Sequence, residues 1–314
     1  MSVCAFSPVW FKISPVLRKL RMGPLLCSLN ADRRSPLSRA IARPRMSESL
    51  VLGLPNGKAC HFTSAAMRTV AKYLRWETFK RGQYSHAGFE LQDDDAVVDI
   101  GANIGMFALW AEPQIPRGRL IRIEPNPYAL ECLRMNVRQN DLRNVTVIPA
   151  AVGGDNGTME LVSHHGWEAM AHSAALDAPW LFNTSTTGRL ARCLMQRSLR
   201  HAHPTTATKR FVVQLMPLSR ILEEHNVATV NFLKIDCEGS EYEVLRSIDV
   251  ANWARIQRVV IEYHDIGSDR NHVELVEILR TNGFQVEAIH ATCGTLAALL
   301  GVRVGMIWAK KRRC

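Results

Sequence analysis

Apolar residues in the central part of the chain fall into short continuous runs separated by stretches of helical spacing. The runs at 97–100, 119–123, 145–152, 230–235, 258–264, 284–289 and 304–309 are mostly apolar at consecutive positions, as in strands covered on both faces. Between them, Leu130, Leu133 and Val137 share one helical face after an Asn126-Pro127 start, and Val244, Leu245 and Ile248 share another. Pro113, Asn140-Asp141 and Gly283 stand where helices should stop. The turn Asp155-Asn156-Gly157 introduces a further strand at 158–163, and Ser240 with Glu243 has the spacing of a capping box. Strands alternating with helices in this order predict an α/β fold built on a Rossmann-like, doubly wound sheet.

The first run leads into Asp99-Ile100-Gly101-Ala102-Asn103-Ile104-Gly105, a strand that passes through a glycine turn into a helix. Glycine at 101 and 105 lets a ligand approach the backbone, the helix start offers amide donors, and Asp99 ends a strand where open α/β sheets bind ligands. Glu124 closes the next run 25 positions after Asp99, close to the offset at which an acid meets a ribose. Ala102 and Asn103 fill the middle of the turn, so it lacks the G-x-G-x-x-G of a dinucleotide site. An adenosine ligand without a pyrophosphate fits better. Ala150 and Ala151 leave room for a flat ring after the third run, and Asp236 with Glu238 brings further acids to the same sheet edge.

Composition narrows the classes. The chain has 314 residues, 47% hydrophobic and 22% charged, enough for one medium-sized domain with a full core. Its eight cysteines form no C-x-x-C pair, which argues against a zinc ribbon, and burial is the expectation for Cys132 and Cys237. The formal charge is +10, but residues 1–50 hold nine Lys or Arg against two acids and so carry +7 of it. The remainder is too weakly basic to imply a specific nucleic-acid partner. Residues 1–45, basic and rich in Ser and Pro, read either as a disordered basic tail or as an extension that resembles an organelle targeting peptide. Residues 46–90 form an N-terminal cap segment and 91–314 the main domain, with an insertion at 164–210 that includes a short helix at 190–199. The most apolar stretch, 288–302, is too short to span a membrane.

Three ordered signatures carry a family resemblance: Asp99 through Gly105, then Ile123-Glu124-Pro125-Asn126, then Leu233-Lys234-Ile235-Asp236-Cys237-Glu238-Gly239-Ser240-Glu241. Together they resemble the FkbM family of S-adenosylmethionine-dependent methyltransferases over residues 77–310. Cys237 stands where the family has an aliphatic residue, and Pro217-Leu218-Ser219 replaces its P-L-D. The resemblance implies S-adenosyl-L-methionine as cofactor and an antiparallel last strand. It also implies a cofactor site made of Asp99, Gly101, Ala102, Asn103, Gly105, Glu124, Asn126, Ala151 and Asp236. The segment from Glu77 to Tyr84 resembles the part of the family that covers the cofactor's amino-acid end.

Methyl transfer from a sulfonium requires positioning and removal of a proton from an acceptor hydroxyl. His264, at a strand end on the cofactor edge and with an ordinary pKa near neutrality, is the leading base, with Asp236 and Glu238 as alternatives. A Mg2+ ion that lowers the acceptor's pKa is another device but not the expected one. The expected activity is O-methylation of a small-molecule acceptor such as a sugar. The rivals are a nucleic-acid-binding protein that keeps the fold without turnover, and a nucleotide-dependent oxidoreductase.

Overall fold

A computed structural model describes residues 50–164, 171–174, 208–266, 270–291 and 303–312. The extension at 1–45, most of the stretch 164–210 with its expected helix, and much of 288–302 lie outside the described residues. The described chain opens with an antiparallel hairpin, β1 (Leu50–Gly53) and β2 (Ala59–Phe62). The Ser64 side chain then accepts the amide of Met67 and starts α1 (Ala65–Arg75), which widens into a π-type turn over Trp76–Arg81. Gly82, in the left-handed region at φ 67°, ends it.

β3 (Ala96–Ile100), α2 (Met106–Ala111), β4 (Arg119–Ile123), α3 (Pro127–Gln139) and β5 (Val145–Ile148) follow as successive strand-helix units. Asn126 caps α3 by accepting the amide of Tyr128, with Pro127 in the first turn as its fixed φ favours. The expected third strand ends before Pro149, which has no amide to donate to the ladder. Ala151–Val152 is β6 of a second sheet. That sheet also holds β7 (Gly157–His164), β8 (Ala171–Ser173) and β9 (Thr208–Met216), in the order β6-β9-β7-β8.

α4 (Leu218–Glu224), β10 (Phe232–Ile235), α5 (Glu241–Ser247), α6 (Val250–Arg255), β11 (Arg258–Asp265), α7 (His272–Thr281), β12 (Phe284–Ala291) and β13 (Arg303–Lys311) complete the main sheet. Its order is β12-β13-β11-β10-β3-β4-β5. β11, β10, β3, β4 and β5 run parallel, whereas β13 is antiparallel to both neighbours, as the resemblance implied. Alternate residues feed two cores. Val98, Ile121, Leu233 and Ile261 face α4 to α7, while Val97, Leu120, Phe232 and Val260 face α2 and the N-terminal segment. Both faces are thus covered, and ligand access is left to the carboxyl ends of the strands. Among the described residues no helix is long and apolar enough to cross a membrane.

Candidate active site

Asp99, Arg122 and Lys234 are register neighbours on β3, β4 and β10, and all three point to the same buried face. Arg122 reaches Asp99 Oδ2 through Nε at 3.1 Å and Nη2 at 2.8 Å, while Lys234 Nζ lies 3.0 Å from Asp99 Oδ1. The two cations also donate to the glycine turn: Arg122 to the Ala102 carbonyl at 2.9 Å, Lys234 to the Gly101 carbonyl at 2.9 Å. Burial pulls Lys234 down, but Asp99 and then Asp236 outweigh it and raise its pKa, so it stays charged. Asp99 therefore faces away from the ligand edge and anchors the turn from behind. A Cβ at Gly101, where φ is +79°, would sit 1.7 Å from the Asp236 carbonyl, so only glycine allows β3 and the end of β10 to come this close.

The glycine turn itself offers shape rather than donors, because its own amides are already taken. The amides of Gly101 and Ala102 go to the Ile123 carbonyl, that of Ile104 to Asn103 Oδ1, and that of Gly105 to the Ala102 carbonyl. The Asn103 amide donates to Glu124 Oε2 at 2.7 Å, and the Asn126 amide to Oε1 at 2.8 Å. Each Glu124 oxygen holds one backbone donor and keeps a lone pair for another. Burial raises the Glu124 pKa to about 7 against the pull of the Asn126 and Asn103 amides.

A cavity of about 350 Å3 opens at this edge. Gly101, Asn103, Glu124, Ala151, Asp236 and Glu238 line it, together with Ala150, Gly153 and apolar side chains such as Ile123, Val152 and Leu161. Of the other residues expected at the cofactor, Ala102 packs beneath on Leu130 and Leu133, Gly105 starts α2, and Asn126 acts through Glu124. Cys132 is fully buried, whereas Cys237 is half-buried on the cavity wall.

His264 stands behind Glu238. Its Nδ1 is 3.1 Å from Glu241 Oε1 and its Nε2 is 3.8 Å from Glu238 Oε2. Burial alone would lower the imidazole, but Glu241 by charge and hydrogen bond, then Glu238 and Glu262, raise it well above its usual 6.5. The ring expected to titrate near neutrality is thus shifted upward by the carboxylates around it. Burial, offset by His264, raises Glu238 to about 7, and burial likewise raises Glu77, on the π-type turn, to about 7. Glu262 goes well above the carboxylate range through burial and Asp236, and it accepts from Gln83 at 2.9 Å. The N-terminal segment thus brings Glu77 and Gln83 to the acidic group around Glu262 and His264, while Glu90 stays exposed, holding the Gly88 amide.

The capping box at Ser240 and Glu243 does not form. Ser240 has φ −92° and ψ 8°, outside the extended region a cap needs, and its side chain makes no cap hydrogen bond. Glu241 instead takes the amides of Cys237 and Gly239, and Glu243 pairs with Arg270 at 2.9 Å. Among the described residues no group of three or more His, Cys, Asp or Glu side chains is placed to hold a metal ion.

Glu77, Glu124, Glu238, Glu262 and His264 all bind protons more tightly in the folded chain without cofactor than in the unfolded one. The contribution of Glu77, Glu124 and Glu238 is complete at low pH, below the unfolded carboxylate values, and is lost as pH rises through about 7, and Glu262 and His264 act in the same direction. Thermal melts of the cofactor-free protein should therefore show a lower midpoint at pH 8 than at pH 6. An equal or higher midpoint at pH 8 would mean that this cluster does not titrate as its burial requires.

Residues 99–286 match the Methyltransferase FkbM domain. The chain is 32% identical over 245 residues to the 31-O-demethyl-FK506 methyltransferase FkbM of Streptomyces tacrolimicus, an alignment covering 76% of this chain and 89% of that protein. It is 26% identical over 230 residues to Methyltransferase 1 of Beauveria bassiana, covering 72% of this chain and 85% of the relative. Among solved structures, Methyltransferase FkbM from Methylobacillus flagellatus aligns with 16% identity and a TM-score of 0.44, over 73% of this chain and 46% of that one. With the glycine turn, the acid after β4 and the acidic turn after β10 in sequence order within the matched span, the chain belongs to the FkbM family of S-adenosylmethionine-dependent methyltransferases.

Proposed function

We propose that the protein transfers a methyl group to a hydroxyl of a small metabolite such as a sugar, with Glu238 as the group that receives the hydroxyl proton. The observation that carries this reading is the placement of Glu238: it lines the cavity, its pKa lies at about 7, and the His264 ring backs it. A carboxylate tuned to neutrality is suited to general-base work at physiological pH. The name of the Streptomyces tacrolimicus relative, which cites an O-demethyl compound, supports an oxygen acceptor on a small molecule.

The cavity fits the cofactor. Its volume lies within the range of ordinary ligand sites, its glycine and alanine walls leave room for adenine, and the remaining lone pairs of Glu124 suit the two ribose hydroxyls. Asp236, held 3.4 Å from Lys234, borders the end where the methionine part would lie. Bound S-adenosylmethionine supplies an electrophilic methyl on a sulfonium. The chain's own residues orient the acceptor oxygen towards it, exclude water and hold the released proton on Glu238.

Incubation with methyl-labelled S-adenosylmethionine and a panel of sugars and other hydroxyl-bearing metabolites, with the product's labelled atom located by mass spectrometry, tests the reading. Label on oxygen supports it; label only on nitrogen or carbon overturns it. A second expectation concerns the ribose contact. Glu124→Ala should weaken S-adenosylhomocysteine binding at least about tenfold, since hydrogen bonds to a charged group contribute about 1.5–3 kcal/mol. Glu124→Gln keeps an acceptor for the Asn103 amide and should fold even if the alanine variant does not. Calorimetric affinity equal to wild type in the folded glutamine and alanine variants would remove Glu124 from the cofactor site.

A further inference from the structure

The carboxylate of Glu241, the last residue of the third signature, is wholly buried at the first position of α5 and does not line the cavity. Its Oε1 takes the amide of Cys237 at 2.9 Å and that of Gly239 at 3.1 Å, and lies 3.1 Å from His264 Nδ1. Its Oε2 is buried with no hydrogen-bond partner among the described residues. A buried carboxylate left so short of donors needs a cation beside it.

The turn that Glu241 ties down is strained. Glu238 has φ +51° and Gly239 φ +97°, and a left-handed conformation is unusual for a glutamate without a compensating hold. That conformation directs the Glu238 side chain into the cavity, with Oε2 3.8 Å from His264 Nε2. One carboxylate therefore clamps the turn carrying Glu238 and orients the ring behind it.

We propose that Glu241 is the positioning residue of the proton-accepting pair: it fixes Nδ1 of His264 as a donor, turns Nε2 towards Glu238, and holds the turn that presents Glu238 to the acceptor. It acts through His264 and does not touch substrate. The inference rests on the role given to Glu238 under Proposed function. Four carboxylates act on His264: Glu241 from α5, Glu238 from the turn, Glu262 from its own strand and Glu77 from the π-type turn. The Tyr242 hydroxyl donates to the His264 backbone carbonyl and fixes the strand end. Of the four, Glu241 is hydrogen-bonded to the ring at Nδ1, so its removal should dominate any change in the ring.

Nitrogen-15 NMR of the full chain, with the His264 signals assigned by their loss in His264→Asn, reads the ring without a substrate. In wild type, Nδ1 should carry a proton at every pH examined, and the ring should titrate above the ordinary histidine value. Glu241→Gln keeps an oxygen for the two amides and removes the charge; it should lower the His264 midpoint by about one pH unit or more. A purely structural Glu241 would lower the melting temperature and leave that midpoint in place, which overturns the proposal. If the variant does not fold, the wild-type spectrum decides: a bare Nδ1, or a midpoint at or below about 6.5, overturns it. Turnover of Glu238→Gln separates the two levels. An inactive Glu238→Gln with an unmoved midpoint in Glu241→Gln defeats the positioning role alone. A lowered midpoint with full turnover in Glu238→Gln upholds the Glu241–His264 pairing and defeats the acid–base reading it serves.

Discussion

Asp99→Asn is expected to lower the free energy of unfolding by about 3–5 kcal/mol, the usual consequence of removing one partner from a fully buried ion pair. The change leaves Arg122 and Lys234 facing one another across β3, with both side chains almost wholly out of solvent. Such a loss is a large part of the total stability of an ordinary domain, about 5–15 kcal/mol, so the urea midpoint should fall steeply or the variant fail to accumulate. Replacing all three charges together, as Asp99→Leu with Arg122→Met and Lys234→Met, should recover part of that stability, because apolar side chains of similar volume need no desolvation. Cofactor affinity should not recover, since the carbonyls of Gly101 and Ala102 lose the donors that hold the turn. An Asp99→Asn protein within about 1 kcal/mol of wild type would show that the charges are not coupled as their distances require.

The main sheet was legible because its strands are covered on both faces and announce themselves as apolar runs. The second sheet was legible only in part: its strand at 158–163 was expected, but β6 has only two residues, and β8 and the start of β9 fall within the stretch read as an insertion. The buried cations were missed for a related reason. Arg122 and Lys234 look like solvent-facing breaks within apolar strands, and only the register that sets them on either side of Asp99 gives them a buried partner. That pattern, a lone cation on each of two apolar strands and a lone acid on a third, is the signal the sequence did contain. Glu124 was legible through its offset from the glycine turn. The surroundings of His264 were not, because its four carboxylates come from separate elements, two of them far apart in the chain, Glu77 and Glu262.

Glu238→Gln should reduce turnover by about 10²–10⁴, the range attributed to a positioned general base, once an oxygen acceptor is in hand. Glutamine keeps the size and the hydrogen-bonding oxygen but cannot accept the hydroxyl proton at neutral pH. The effect should fall on kcat and kcat/KM alike, with S-adenosylhomocysteine affinity changed by less than about threefold, the pattern of a contact made in the transition state. The pH profile gives the sign independently. Glu238 must be ionised to act, and with its pKa at about 7 the wild-type kcat/KM should decline as pH falls through that value. His264 and Glu238 titrate as a coupled pair, so the apparent value belongs to both. His264→Ala removes the cation that helps to keep Glu238 ionised, and should move the acid limb upward while leaving some activity at high pH. A Glu238→Gln enzyme with wild-type turnover and an unaltered profile would take the proton-accepting role from this carboxylate and transfer it to Asp236 or to water in the cavity.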